Sequence, residues 1–353
     1  MEHQRAVIIY VLHSGNLYGT EKMALATLDG LTNDFDVVLF APAGPVHTEA
    51  KKRGMPVVEF HGRIDLLCQL QPWISKYSQI VFAATGIIHS LAFLLLNFFY
   101  QKRACHAHLV HGGSSENHSY GRKKILNFAK VVFIAVSGYV QNRLISNGVL
   151  PEKICVIENF LPRDYLATVP RHPKFIEQGI HDVVVVSRLD PLKRVDLLID
   201  ALDSEPTLDK IRFRILGGGA SDKLIARAKR HHSNLIFEGY CTNIPEILAQ
   251  SDLLLHTCPC ESFGLVVLEA MAAGIPTLVP DQGGAAALVD PGHTGWHFRA
   301  NDFQSLAEQL KYLSYVEPDV LNRVVSSADR LLELQYSSNR GIEEYRNLFQ
   351  MKL

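Results

Sequence analysis

The chain has 353 residues, of which 47% are apolar and 20% charged, and its formal net charge is −1. That length suits two domains better than one, and the composition is that of packed globular protein, not disorder. The near-neutral balance argues against a nucleic-acid partner, which needs a basic excess, but a few placed cations could still hold a small anionic ligand.

In chain order, the first apolar run is 6–12, after Glu2 and Arg5. It is short for a signal peptide and no convincing small-residue cleavage site follows, so a buried first strand is expected. Further runs of strand length lie at 36–40, 79–84, 106–110 and 131–136. Between them, residues 91–100 are strongly apolar but only about half as long as a bilayer span. With Lys102, Arg103, Arg122, Lys123 and Lys124 nearby, this stretch admits two readings. One is a helix buried between two strands, expected because an all-round apolar helix is usually core. The other is an interfacial element giving peripheral contact with a membrane.

Pro162, Pro170 and Pro173 interrupt the periodicity between 159 and 179 and mark a domain boundary. Strand-like runs resume at 182–187, 211–216, 234–239, 252–257 and 275–280, and the sequence reads as helical from Asp302 onward. Continuous Val/Ile/Leu runs alternating with helices imply parallel sheets covered on both faces. Two sets of about five to six strands imply two such sheets. Ligands of open α/β sheets bind beyond the carboxyl ends of the strands, so the residues just after each run are the candidates.

Three such segments stand out in the second half. Residues 187–196 place Arg188 and Lys193 after a strand, where a guanidinium and an ammonium can grip a diphosphate; a solvated basic loop is the alternative. Gly217, Gly218, Gly219 and Ala220 permit close backbone approach, a weak signal alone. Residues 261–274 combine Glu261, a capping Ser262 and Gly264 with a helix start, whose N–H groups at Phe263, Gly264 and Leu265 would face an anion. Glu269, about two turns into that apolar helix, needs a hydrogen-bonding partner; ribose hydroxyls or neighbouring backbone would both serve.

Histidines and cysteines complete the candidates. His106, His108 and His111 occur in HAHLVHGG, with Gly112 and Gly113 following. His106 and His108 read as structural, a three-histidine metal site being another reading. The six cysteines show no framework spacing, which points to a reducing, cytoplasmic compartment. Cys258 and Cys260 are close, but no second Cys or His pair is evident to complete a zinc site, so they read as a strand-end pair, metal binding being the alternative.

Taken together, the E-x7-E of ESFGLVVLEAMAAG, SRLDPLKRVDLLIDAL, LGGG, LIFEGY and Asp281-Gln282-Gly283-Gly284 resemble the retaining glycosyltransferases of family 4, over most of 182–299. The resemblance implies the α/β fold GT-B, two Rossmann-like domains facing a central cleft. It implies an acceptor domain at 1–165, a nucleotide-sugar domain at 166–335, and a C-terminal helix at 336–353 packing back on the first. Arg188 and Lys193 match the pair that holds the donor diphosphate, Glu269 the ribose carboxylate, and Glu261 the carboxylate that contacts the transferred sugar. Phe263, Gly264 and Leu265 match the phosphate and sugar contacts, Gly239 and Tyr240 the base contacts, and His111 the active-site histidine. Gly19 belongs to a loop, 15–21, resembling the family's Gly-Gly-x-Glu turn, though Tyr18 stands where the first glycine is usual. Ala287 replaces a common glutamate.

The implied activity is transfer of a sugar from a UDP- or GDP-linked donor to an acceptor hydroxyl, with retention and without a metal or other cofactor. The acceptor would be a saccharide, a glycolipid or a small molecule, as in cell-surface polysaccharide synthesis. A nucleotide-sugar epimerase or hydrolase of the same fold and a non-catalytic subunit are the alternatives. A dinucleotide-dependent dehydrogenase is disfavoured because no G-x-G-x-x-G turn follows the first run.

Overall fold

The computed structural model describes residues 5–112, 116–219 and 222–353, with only the backbone of Glu116, Asn117, Asp164 and His231. Gly113 and Ala220 of the glycine-containing motifs lie outside the described residues. The chain divides into two units, Met1–Pro162 with Ser338–Leu353, and Arg163–Ser337.

The first unit holds seven strands: β1 Val7–Val11, β2 Asp36–Ala41, β3 Val57–Glu59, β4 Gln79–Ala84, β5 Arg103–Val110, β6 Val132–Ala135 and β7 Ile154–Val156. Their order is β3-β2-β1-β4-β5-β6-β7, and every neighbouring pair is parallel. The second unit holds β8 Asp182–Val186, β9 Arg212–Leu216, β10 Leu235–Gly239, β11 Leu253–Leu255, β12 Thr277–Pro280 and β13 Trp296–Phe298. Their order is β10-β9-β8-β11-β12-β13, again all parallel. The central strands β1 and β11 are buried along their whole length, which is why their sequences are continuously apolar.

All ten runs expected to be strands are strands. The three that the sequence did not reveal, β3, β7 and β13, are three-residue strands at sheet edges. A short edge strand buries little on its outer side, so it carries no long apolar run to read.

Each sheet order reverses direction at its middle, between β1 and β4 in one unit and between β8 and β11 in the other. At such a switch point the loops leave the two strands in opposite directions and open a crevice beyond their carboxyl ends.

The final helix, Ser338–Lys352, packs within the first unit. Its Gly341 lies so close to Phe160 that an added Cβ would sit 2.1 Å from the ring, and Ile342 fills the space over Gly30. Buried Tyr345, Leu348 and Phe349 supply the apolar face, and Arg346 pairs with Asp34 at 2.8 Å.

Two expectations for the first unit need correction. The helix Ile87–Tyr100 is not buried between strands: only Ser90 and Phe93 are, while Phe98 and Phe99 are 74% and 72% exposed. A uniformly apolar sequence cannot tell the side that meets the sheet from the side that meets solvent. Conversely, Lys123, grouped by sequence with surface cations, is buried, and its ammonium donates to the His118 carbonyl at 3.4 Å. Burial brings its pKa down to about 8. No helix among the described residues is long and apolar enough to cross a membrane.

Candidate functional site

The residues after β8 and β11 build the more complete of two candidate sites. Beyond β8, β9 and β10 the backbone is laced together: Ser187 N–H donates to Leu216 O, Gly217 N–H to Gly239 O and Leu189 N–H to Gly218 O, at 3.0, 2.7 and 2.8 Å. Gly217 has φ +143°, and a Cβ there would lie 1.8 Å from the Ser187 carbonyl oxygen, so the weak glycine signal marks a place where two loops touch. The turn Pro191–Lys193 is capped by the Asp190 side chain, which accepts from Leu192 N–H at 3.1 Å. Thr257, after β11, donates its hydroxyl to the Lys193 carbonyl at 2.5 Å. These bonds fix the Lys193 backbone to both strands at the switch point.

Lys193 Nζ is thereby placed 2.5 Å from Glu261 Oε2. The other oxygen of Glu261 accepts from Ser262 N–H at 3.1 Å, and His256 Nε2 stands 3.7 Å from Oε2. Burial raises the Glu261 pKa, but the Lys193 charge with His256 and the Ser262 N–H outweighs it and brings it down to about 2. Burial likewise works against the Lys193 charge, yet Glu261 raises its pKa overall. The pair is therefore an ammonium–carboxylate pair at neutral pH, and burial keeps His256 neutral, down at about 4. Burial also pushes the Cys258 thiol up to about 12.

The loop carrying Glu261 leads into the helix Leu265–Ala272. Ser262 does not cap it: Gly264 holds the capping position at φ +102°, without a side-chain cap, and its carbonyl accepts from Val267 N–H at 2.9 Å. First-turn N–H groups of a helix have no acceptor within it, so this end remains suited to an anion. Gly283 and Gly284 press against the same loop. Gly284 N–H donates to the Glu261 carbonyl at 2.6 Å, and a Cβ on Gly284 would lie 2.2 Å from Ser262 O.

The remaining residues singled out by sequence are distributed around this centre. Arg188 is mostly exposed, paired with Asp190 at 3.3 Å, yet near enough for its charge to oppose that of Lys193. Phe263 is buried against Tyr336, with ring centroids 6.0 Å apart. Leu265 and Glu269, one turn apart on the helix, are both half-buried. The Glu269 carboxylate helps raise the pKa of the Tyr165 phenol, after burial. Gly239 ends β10 at φ +76°, and Tyr240 beside it is exposed.

The second candidate site lies beyond β1, β4 and β5. Gly19 opens the helix Gly19–Leu31. Tyr18 precedes it at φ −100° with its N–H donating to the buried Glu21 carboxylate at 3.0 Å. The loop thus needs no left-handed residue at that position, which explains how Tyr replaces the usual glycine. His13 N–H and ring both bond Thr85 Oγ1, at 2.9 and 2.8 Å, tying the ends of β1 and β4 together. His111 follows β5 with its Nε2 buried and without a hydrogen bond among the described residues. His106 packs edge-on against Phe82 and Phe93, and His108 bonds Ser90 at 2.9 Å inside the core. None of the three joins a metal-like cluster among the described residues.

Burial, the largest cause in every case, holds His89 and His256 at about 4 and His106 and His111 at about 3. The unfolded chain protonates these rings near 6.5, so between 6.5 and about 4 it binds more protons than the native chain, and stability falls as pH falls. Each ring is expected to withdraw about 3 kcal/mol by pH 4. Scanning calorimetry should show the melting temperature falling steadily from pH 6.5 to 4; a flat profile would refute burial of neutral histidines.

Sequence reading missed His256 altogether. Its signal was present as His256-Thr257-Cys258-Pro259-Cys260-Glu261. His256, Cys258 and Glu261 present one ligand-type atom each, all within 4.8 Å of one another, so Cys258 has beside it a histidine and a carboxylate that its reading as a strand-end pair with Cys260 left out.

Comparison with known proteins bears on this geometry. Residues 171–324 match the family described as glycosyl transferases group 1. The chain is 28% identical over 180 residues to the N-acetyl-alpha-D-glucosaminyl L-malate synthase of Bacillus anthracis, covering 49% of this chain and 47% of the relative. It is 29% identical over 232 residues to the poly(ribitol-phosphate) alpha-N-acetylglucosaminyltransferase of Staphylococcus aureus, covering 64% and 45%. The chain thus spans about half the length of these curated relatives. In structure it is similar to HepE of Anabaena, solved with UDP and glucose, with TM-score 0.80, 20% identity and coverage of 97% of this chain and 99% of that one. The fold is therefore the α/β fold GT-B, with two Rossmann-like units.

Proposed function

We propose that the chain, whose residues 171–324 match the family of glycosyl transferases group 1, moves a sugar from a nucleoside diphosphate sugar, UDP- or GDP-linked, to an acceptor hydroxyl. The observation that carries this reading is the Lys193–Glu261 pair, set beside the open N-terminus of the helix Leu265–Ala272 at the β8/β11 switch point. A diphosphate needs cations and N–H donors, while a sugar needs a carboxylate to accept from its hydroxyls. This corner supplies all three beyond the ends of the adjacent strands β8 and β11. Lys193 and the helix end stabilise the charge that grows on the leaving diphosphate, with Arg188 closing over it from the exposed loop. Glu261 accepts from hydroxyls of the transferred sugar, and Glu269 from the ribose. Gly239 and Tyr240 border the base.

Retention is supported by the relatives' names, which specify α-linked products, as a retaining transfer from an α-linked donor would give. In the front-face course, the departing phosphate takes the proton of the attacking hydroxyl, so no protein nucleophile is assigned. The transfer is metal-independent in this reading, and the chain works at the cytoplasmic side of cell-surface polysaccharide or glycolipid synthesis.

The test is a thermal-shift panel with UDP, GDP, dTDP, ADP and NAD. A ligand that binds only the native state raises the melting temperature. One nucleoside diphosphate should stabilise the chain, and Glu269→Ala should weaken that affinity by roughly tenfold through loss of a charged hydrogen bond. If no nucleotide stabilises folded protein, the donor site is wrongly assigned.

A further inference from the structure

Around Glu261 of the Lys193–Glu261 pair, the loop after β11 gathers two further donors, His256 and Cys258, that glycosyl transfer does not use. His256 is 4% exposed, and its Nε2 is buried without a hydrogen-bond partner among the described residues. A buried polar nitrogen left unsatisfied is uncommon and calls for a ligand or an ion. That nitrogen is 3.7 Å from Glu261 Oε2, and the Cys258 and Cys260 sulfurs are also 3.7 Å apart. Ligand atoms at the corners of a tetrahedral zinc site, with bonds of about 2.0–2.3 Å, stand roughly 3.3–3.8 Å apart. The His256–Glu261 edge falls in that range, and the Cys258 sulfur lies within 4.8 Å of both other ligand atoms.

We infer that His256, Cys258 and Glu261 form a site for a thiophilic divalent cation of the zinc class. Imidazole, thiolate and carboxylate in one shell select zinc over magnesium or calcium, which take oxygen ligands. The cation displaces the Cys258 thiol proton to solvent on binding. It also competes with Lys193, because Glu261 cannot serve the metal and the ammonium fully at once. Occupancy therefore dismantles the Lys193–Glu261 pair, making this an inhibitory site. Its metal chemistry stands independently of the transfer reaction; only the inhibition rests on that reading.

The experiment is titration of the reduced full-length chain with Co2+, followed by back-titration with Zn2+. Co2+ reports its own ligands, since charge-transfer bands mark a cobalt–thiolate bond and intense visible bands mark tetrahedral coordination. One equivalent should produce both, and Zn2+ should abolish them. Cys258→Ser should remove the charge-transfer band, and His256→Gln and Glu261→Gln should weaken binding by roughly 10–100-fold. Lys193→Ala should tighten it by roughly tenfold, because it removes a competing charge. The inference is overturned if the wild-type chain, with its thiols shown to be free, gives no thiolate band at saturating Co2+. It is also overturned if the band survives Cys258→Ser, or if Lys193→Ala weakens binding. Because the wild-type result decides first, a variant that fails to fold leaves the test intact. If the donor reading alone fails, nucleotides give no thermal shift while the Co2+ bands remain.

Discussion

Replacing Lys193 with alanine is expected to lower turnover by roughly 10²–10³-fold, the usual effect of removing one preorganised charge from a leaving-group site. The reason lies in how the ammonium is held. Thr257 fixes its carbonyl at 2.5 Å, and Glu261 fixes its Nζ at 2.5 Å, so the charge needs no reorganisation when the diphosphate departs. The same substitution leaves Glu261 partly buried and without its cation. Breaking a fully buried pair from one side costs about 3–5 kcal/mol, and the partial exposure of both side chains reduces this to about 1–3. Stability and chemistry can be separated by a double-mutant cycle. Glu261→Gln in the Lys193→Ala background should recover much of the melting temperature but none of the turnover. Initial rates with the stabilising nucleotide's sugar, measured beside melting curves, supply all four corners. Turnover unchanged in folded Lys193→Ala protein would eliminate the leaving-group role.

The second large effect is expected from Gly284→Ala. Its φ lies outside the left-handed region, so the added methyl carries no intrinsic backbone penalty; the cost is steric. The methyl would meet Ser262 O at 2.2 Å and Phe263 N at 2.7 Å, both backbone atoms that cannot rotate away. The loop Glu261–Gly264 must then move, carrying the Glu261 carboxylate and the helix end with it. We expect a loss of about 2–4 kcal/mol of stability, by analogy with overpacked interiors, and a fall in nucleotide affinity of at least tenfold. Gly218→Ala is the control, because nothing lies within 4 Å of a Cβ there. Urea unfolding and nucleotide titration of both variants decide the point. Equal behaviour of the two would show that the contact between these loops does not shape the site.

Most central strands were legible from sequence because burial on both faces demands unbroken apolar runs; the edge strand β10, whose burial alternates, was found from its apolar residues alone. Motif order likewise identified Lys193, Glu261, Gly264 and Glu269 as candidates, since a strand followed by a charged or glycine-bearing turn is a local pattern. Local patterns carry no information about what another loop places alongside. Hence Ser262 was expected to cap a helix that Gly264 begins, and Tyr18 seemed to conflict with a turn that proves to need no positive φ. The apolar stretch 91–100 was expected to be core, because composition counts apolar residues but not the side they face.

The sequence by itself determined the α/β class, the order of the elements and the chemical types available beyond each strand. Those follow from hydrophobic periodicity and residue identity, which are properties of short segments. Only the tertiary structure decided that Lys193 and Glu261, 68 positions apart, form one ion pair, and that His256 and Cys258 stand against it. The parallel order β9-β8-β11-β12 brings the ends of strands distant in sequence into adjacency. Pairing and desolvation, which set the charge of every group at this site, exist only once that adjacency is made.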